Sequence, residues 1–213
     1  MFNLNRKRVV VLCSTFLLLF GSQIARAEFL GLLNGRLADV SRAPDFSIDF
    51  GIVLDSDANQ FGLRGNYKLS RLLLVYADFS LFDGDGGLEG TPFGIGALYT
   101  VEDLLDNYDV GVKLSFHTGS FDLDTVFGSA SVDISNLALE VIGSTKNGFA
   151  GNSKLDAYVN VGLQAIDADV AGDDLEFTFG GGVIYPVGVK SEVFGGIDFI
   201  DGAFLGGGYR LNF

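Results

Sequence analysis

The chain has no tryptophan, three prolines, one cysteine and one histidine in 213 residues. The cysteine, Cys13, lies in the first twenty residues, inside a segment expected to be removed. The remaining chain therefore has neither disulfides nor thiol chemistry available to it. Basic residues are also few: 14 Lys and Arg stand against 27 Asp and Glu, a net charge of −13. That balance argues against nucleic acid as a partner. After residue 27 no apolar run approaches the roughly eighteen residues of a membrane-spanning helix.

What is present points to strands. Thirty glycines accompany many Phe, Tyr, Val and Leu residues, a composition suited to β structure. At the amino end, Arg6, Lys7 and Arg8 precede an apolar stretch from Val9 to Phe20, and Ala25-Arg26-Ala27 follows. This is the layout of a secretory signal peptide over residues 1–27, cleaved near Ala27. Its removal takes away four basic residues and leaves a net charge of −17. Residues 28–44 form a lead-in. Phe29, Leu33, Leu37 and Val40 recur at helical spacing there, so a short amphipathic helix is one expectation. An ordered lead-in without a role is the other.

From Asp45 to the end, segments of about ten residues alternate apolar with polar or small residues, the period of a strand with two unlike faces. Phe46, Ile48, Phe50 and Ile52 alternate with Ser47, Asp49 and Gly51. Tyr108, Val110, Val112, Leu114 and Phe116 alternate with Asp109, Gly111, Lys113 and Ser115. Ten such segments are expected, with eight or twelve as the alternatives, because residues 118–136 read either as a protruding hairpin or as a long loop. A soluble β-sandwich would have the opposite inside-out pattern, and parity alone does not say which face meets lipid.

The last segment carries the most specific signal. Leu205, Tyr209, Leu211 and Phe213 share one parity, and Arg210 and Asn212 hold the other. This stretch, Tyr209-Arg210-Leu211-Asn212-Phe213, resembles the closing strand of bacterial outer-membrane β-barrel proteins. The resemblance implies an all-β, antiparallel up-and-down transmembrane β-barrel over residues 45–213 in the outer membrane of a Gram-negative bacterium. Its closing strand would be read by the barrel-assembly machinery, and the protein would be a monomer in contact with outer-membrane lipid and lipopolysaccharide. Without tryptophan, Phe and Tyr alone must form the interfacial belts.

Three features are candidates for function. The inward parity gathers Asp49, Arg64, Lys68, Asp78, Asp109, Lys113, Glu140, Asp156, Glu192, Asp198 and Arg210. These form either a salt-bridged core closing the lumen or, with Gly94, Gly96, Gly111, Gly162 and Gly182, the lining of a narrow cation-preferring pore. The outward turns are acidic, and Asp55–Asn59 and Asp83–Gly87 space oxygens at alternate positions without completing a calcium loop. Loose divalent bridging to lipopolysaccharide suits them better, and no cofactor or resident metal is expected. Finally, His117 lies near Ser120 and Asp122, the residue types of a hydrolytic site. A solvated histidine is the simpler reading. The leading expectation is a non-enzymatic surface or structural protein, followed by a channel and then an outer-membrane hydrolase.

Overall fold

The computed structural model describes residues 31–55, 58–84, 87–125, 128–168 and 172–213. The signal segment with its cleavage site, Phe29, and the turn residues Asp57, Asp85 and Asp169 lie outside them, and both calcium-loop-like stretches are described only in part.

Eleven strand segments run in chain order: β1 (Phe46–Leu54), β2 (Ala58–Lys68), β3 (Leu73–Gly84), β4 (Leu88–Gly90), β5 (Phe93–Val101), β6 (Tyr108–Thr125), β7 (Gly128–Thr145), β8 (Asp156–Ala168), β9 (Gly172–Gly188), β10 (Ser191–Ile200) and β11 (Gly202–Asn212). Segments β4 and β5 both lie between β3 and β6 and are interrupted at Thr91-Pro92. Proline has no N–H for the ladder, so the break falls where pairing must lapse. They count as one strand position, and the barrel therefore has ten strands. Every neighbour is antiparallel, and β11 closes onto β1 from Ser47↔Asn212 to Leu54↔Leu205. Closure leaves no free sheet edge.

Burial follows parity around the ring. Phe50, Phe61, Leu63, Phe79, Ile95, Leu114, Leu139, Val161, Phe177 and Leu205 point outward and are exposed, whereas Asp49, Arg64, Asp78, Lys113, Glu140 and Arg210 point inward and are buried. An apolar exterior over a polar interior is the inverse of a water-soluble sandwich, and it removes that alternative. Phe213, beside Phe46 with ring centroids 5.7 Å apart, sits at the end of the barrel where β1 begins.

The barrel is taller on one side. Pairing of β6 with β7 is unbroken from Tyr108↔Thr145 to Thr125↔Gly128, so residues 118–125 and 128–136 continue as paired strands rather than a loose loop. The opposite wall, β10, β11, β1 and β2, ends several residues lower.

Residues 31–45 do not form the amphipathic helix that their spacing suggests. Only Val40–Arg42 makes a single 3-10 turn, capped by the Asp39 side chain on the Ser41 N–H. The segment enters the barrel, where Leu32, Leu33, Asn34, Arg36, Ala38 and Val40 are all buried. An amphipathic helix needs one wet face, and a segment surrounded by a barrel wall has none. Gly35, at φ +51°, also breaks helical geometry, and a Cβ there would collide with the Phe194 ring.

Candidate functional site

The inward charges are ordered by strand register. Following partners across the sheet, Glu192 on β10 faces Arg210 on β11, Arg210 faces Asp49 on β1, Asp49 faces Arg64 on β2, and Arg64 faces Asp78 on β3. The row continues through Gly94 on β5 to His117 on β6. Signs alternate along it, and opposite charges at directly paired positions attract. Arg210 donates from Nε to Asp49 at 2.7 Å, from Nη2 to the other Asp49 oxygen at 3.0 Å, and from Nη1 to Glu192 at 2.9 Å. Arg64 donates from Nε and Nη2 to one Asp78 oxygen at 3.0 and 2.7 Å. His117 Nε2 lies 3.2 Å from the other Asp78 oxygen. Gly94 is what lets this end of the row close, because a Cβ there would overlap the His117 ring. Charges buried this deeply persist only with such pairing.

A second register pair, Lys113 and Glu140, joins β6 to β7 with Nζ 2.5 Å from the carboxylate. Near the mouth where the chain enters, Lys68 pairs with Asp45 at 3.3 Å, Arg42 with Asp156 at 2.6 Å, and Lys146 with Asp109 at 3.8 Å. Asp198 makes no ion pair with a described residue. It accepts from Asn160 Nδ2 at 3.2 Å. The eleven charged residues expected on the inward parity therefore all face inward, but as separate pairs and one row rather than a single network.

The inserted segment was not legible as a lumen occupant, and it uses the charged row as its anchor. Arg64 donates to the carbonyls of Leu33 at 3.0 Å and Leu32 at 2.7 Å, and Arg210 donates to the carbonyl of Gly35 at 2.5 Å. Gly35 N–H donates to the Tyr158 hydroxyl, Ala38 N–H to Ser144, and Val40 N–H to Thr100, whose own hydroxyl donates to the Ala38 carbonyl. Arg36, which no alternating strand pattern marks, adds a cation from the segment itself and donates to Ser47 and Asp49. A backbone stripped of water must find such partners. Its apolar side chains pack in two groups, Leu32 and Leu33 with Val53, Ile200 and Phe204, and Ala38 and Val40 with Leu74, Tyr76, Leu98, Ile142 and Phe194.

The glycines that would widen a pore are covered instead. Gly96 lies under the Tyr76 ring, Gly111 against Leu98 and the Ala38 carbonyl, Gly162 against Glu140, and Gly182 under the Tyr158 ring. At the outer end, Phe82, Leu88, Phe121, Val132, Ile134, Ile166 and Ala168 fill the interior with apolar side chains. Phe82 and Phe121 meet edge-on at 5.3 Å. Space remains in a cavity of about 300 Å³ beside Arg36, Asp156, Glu192 and Arg210 at the entry end, and in an inner one of about 40 Å³ beside Lys113, Glu140, Asn160 and Asp198.

The His117, Ser120 and Asp122 constellation does not assemble. His117 points into the lumen and is buried, whereas Ser120 points outward and donates to Asp133 at 2.5 Å. Positions three apart on a strand face opposite sides. Leu205, Tyr209 and Phe213 of the closing strand are exposed on the outer face, with Leu211 partly covered on the same face.

No family model and no curated protein matches this chain. Solved structures resemble it in fold. The KdgM porin is 8% identical, with a TM-score of 0.46 over 78% of this chain and 99% of that one. The N-terminal β-barrel domain of Pseudomonas aeruginosa OprF is 9% identical, with a TM-score of 0.44 over 79% and 98%. The translocator domain of the autotransporter NalP from Neisseria meningitidis is 11% identical, with a TM-score of 0.46 over 79% and 87%. Ten antiparallel strands closed into a ring, apolar outside and polar within, give this chain the fold of a bacterial outer-membrane β-barrel protein.

Proposed function

We propose that the protein is a closed outer-membrane scaffold whose work is done at its outer surface, rather than a conduit. The observation that carries this reading is the seating of residues 31–45 in the lumen on the Arg64 and Arg210 clamps. An open pore must offer ions a continuous wet path, and here the polar middle of the lumen is occupied while its outer end is filled by Phe82, Phe121 and their neighbours. The acidic turns support a surface role. Residues 55–60, 83–92, 118–136, 167–174 and 201–202 contain no lysine or arginine, so the outer face attracts cations. Bridging by divalent ions to lipopolysaccharide phosphates is the contact this charge favours. Full pairing of the strands favours a monomer, and the exposed β11 side chains are those that the assembly machinery would read.

The test is single-channel recording from the mature chain refolded into planar bilayers, with folding checked by heat-modifiable migration. The expected trace is silent. Steady, reproducible open steps with cation preference from the intact chain would overturn the scaffold reading and make the lumen charges the working site.

A further inference from the structure

Inside the lumen, the row and its neighbours do not balance. Leaving aside His117, which is charged only if protonated, Arg36, Arg64, Lys113 and Arg210 bring four positive charges, while Asp49, Asp78, Glu140, Glu192 and Asp198 bring five negative ones. The pairs at the entry end are complete in themselves. The carboxylate left over is Asp198, 7% exposed and, among the described residues, held by the Asn160 amide without an ion pair.

Its surroundings are built to keep a space beside it. Asn160, Gly180 and Asp198 lie in one register row across β8, β9 and β10. Gly180 has no side chain to fill the row, and a Cβ there would overlap the Asp198 carboxylate. The cavity of about 40 Å³ at this place is lined by Asn160, Thr178 and Asp198, with the Lys113–Glu140 pair and His117 also on its wall, and is large enough for a few water molecules or one small, partly hydrated cation. Two oxygens on its lining side chains are independent of the carboxylate. Asn160 Oδ1 and Thr178 Oγ1 are buried and have no hydrogen-bond partner among the described residues, although Asn160 and Thr178 are only 4% and 3% exposed. The Asn160 amide nitrogen is already committed to Glu140 at 2.9 Å and to Asp198, which leaves its oxygen as a pure acceptor.

We propose that this cavity is a binding site for one monovalent alkali cation, sodium- or potassium-like, held by Asp198, Asn160 Oδ1 and Thr178 Oγ1, with water completing the shell. A single positive charge cancels the single surplus negative one. A calcium-like ion would ask for six to eight oxygens and bring a charge too many. Lys113 does not serve, because its ammonium is paired with Glu140. His117 does not serve either, because its ring faces Asp78 at the end of the charged row. The cation site is independent of whether the lumen conducts.

Heat unfolding of the mature barrel, followed by gel migration, tests this at equal ionic strength in sodium, potassium or N-methylglucamine chloride. An alkali ion that binds only the folded barrel at about nine times its dissociation constant raises the folded-to-unfolded ratio roughly tenfold. That rise is expected in the wild type and is expected to vanish in Asp198→Asn. Thr178→Val keeps the carboxylate and removes one ligand, so it should need several times more sodium for the same rise, and it carries the test if Asp198→Asn does not fold. Crystals grown in rubidium chloride should show an anomalous peak against the Asp198 carboxylate. Equal stability of the wild type in all three salts overturns the proposal, as does a rubidium crystal with water alone in the cavity.

Discussion

Strands β6 and β7 follow opposite rules at their two ends. In their lower part, the outward residues Val112, Leu114, Phe116, Leu137, Leu139 and Val141 are apolar, and the inward Lys113, Ser115, Asn136 and Glu140 are polar. A few residues further along the same strands the faces exchange character. Ser120, Asp122, Ser131 and Asp133 now point outward, and Phe121, Val132 and Ile134 point inward. The exchange falls at Thr118↔Ser135, where the register also brings in Asp167 of β8. Backbone pairing runs through the exchange without a break, so secondary structure does not mark it. Solvent does. Below it the strands face lipid and fold by the membrane rule; above it they face water and build an ordinary apolar core. One hairpin thus reports the height of the outer membrane boundary to within a residue or two.

The largest way to break this arrangement is to remove the anchor of the polar level. Arg210→Ala strips Asp49 and Glu192 of a buried partner and frees the Gly35 carbonyl. Breaking a buried pair by deleting one member costs about 3–5 kcal/mol. The expected outcome is a heat-modification midpoint many degrees lower, with the whole barrel affected. Next in size is Phe121→Ala. Loss of a fully buried aromatic costs about 3–5 kcal/mol where the surroundings cannot collapse, but this core lies above the bilayer, so the loss should stay local. Hydrogen exchange should accelerate for 118–136 and leave Val110 to Leu114 protected. Uniform acceleration along both strands would show that the two levels melt as one.

The levels also differ in how readily the sequence disclosed them. Alternation alone located the strands, but over 118–136 it left a hairpin and a long loop both open, because the period of two continues past the exchange while the polarity of the faces flips. The inward residues were legible for the same reason. Their partners were not, since pairing Asp49 with Arg210 depends on a register across 161 positions that no local pattern encodes. The inserted segment misled for a physical reason: Leu33, Leu37 and Val40 keep helical spacing, yet Leu32, Leu33, Asn34 and Arg36 are all buried, polar and apolar alike, which leaves no wet face for an amphipathic helix. Arg36 went unnoticed because its role exists only once the segment is inside the ring. His117 is neither the solvated histidine of the simpler reading nor a partner of Ser120, because its parity on β6 turns it into the lumen, where it is buried against Asp78.

The outward face offers the finest test, through two substitutions on one strand. Val141 and Ser131 share the outward parity of β7 and are both exposed. Their partners differ in kind: Val141 pairs with Val112 and Val161, whereas Ser131 pairs with Asp122. Val141→Arg places a charge at mid-belt, where the cost is about 2–4 kcal/mol. Ser131→Arg places the same charge in water beside an aspartate and should move stability by less than about 0.5 kcal/mol in either direction. The pair is read by urea unfolding in lipid vesicles, where each variant is compared with the wild type. Equal penalties would mean that the bilayer reaches past Ser135 and that the polar outer surface of the hairpin is an interior one. A penalty confined to Val141→Arg fixes the boundary at the level where the two faces exchange character, because no feature of the backbone distinguishes the two positions.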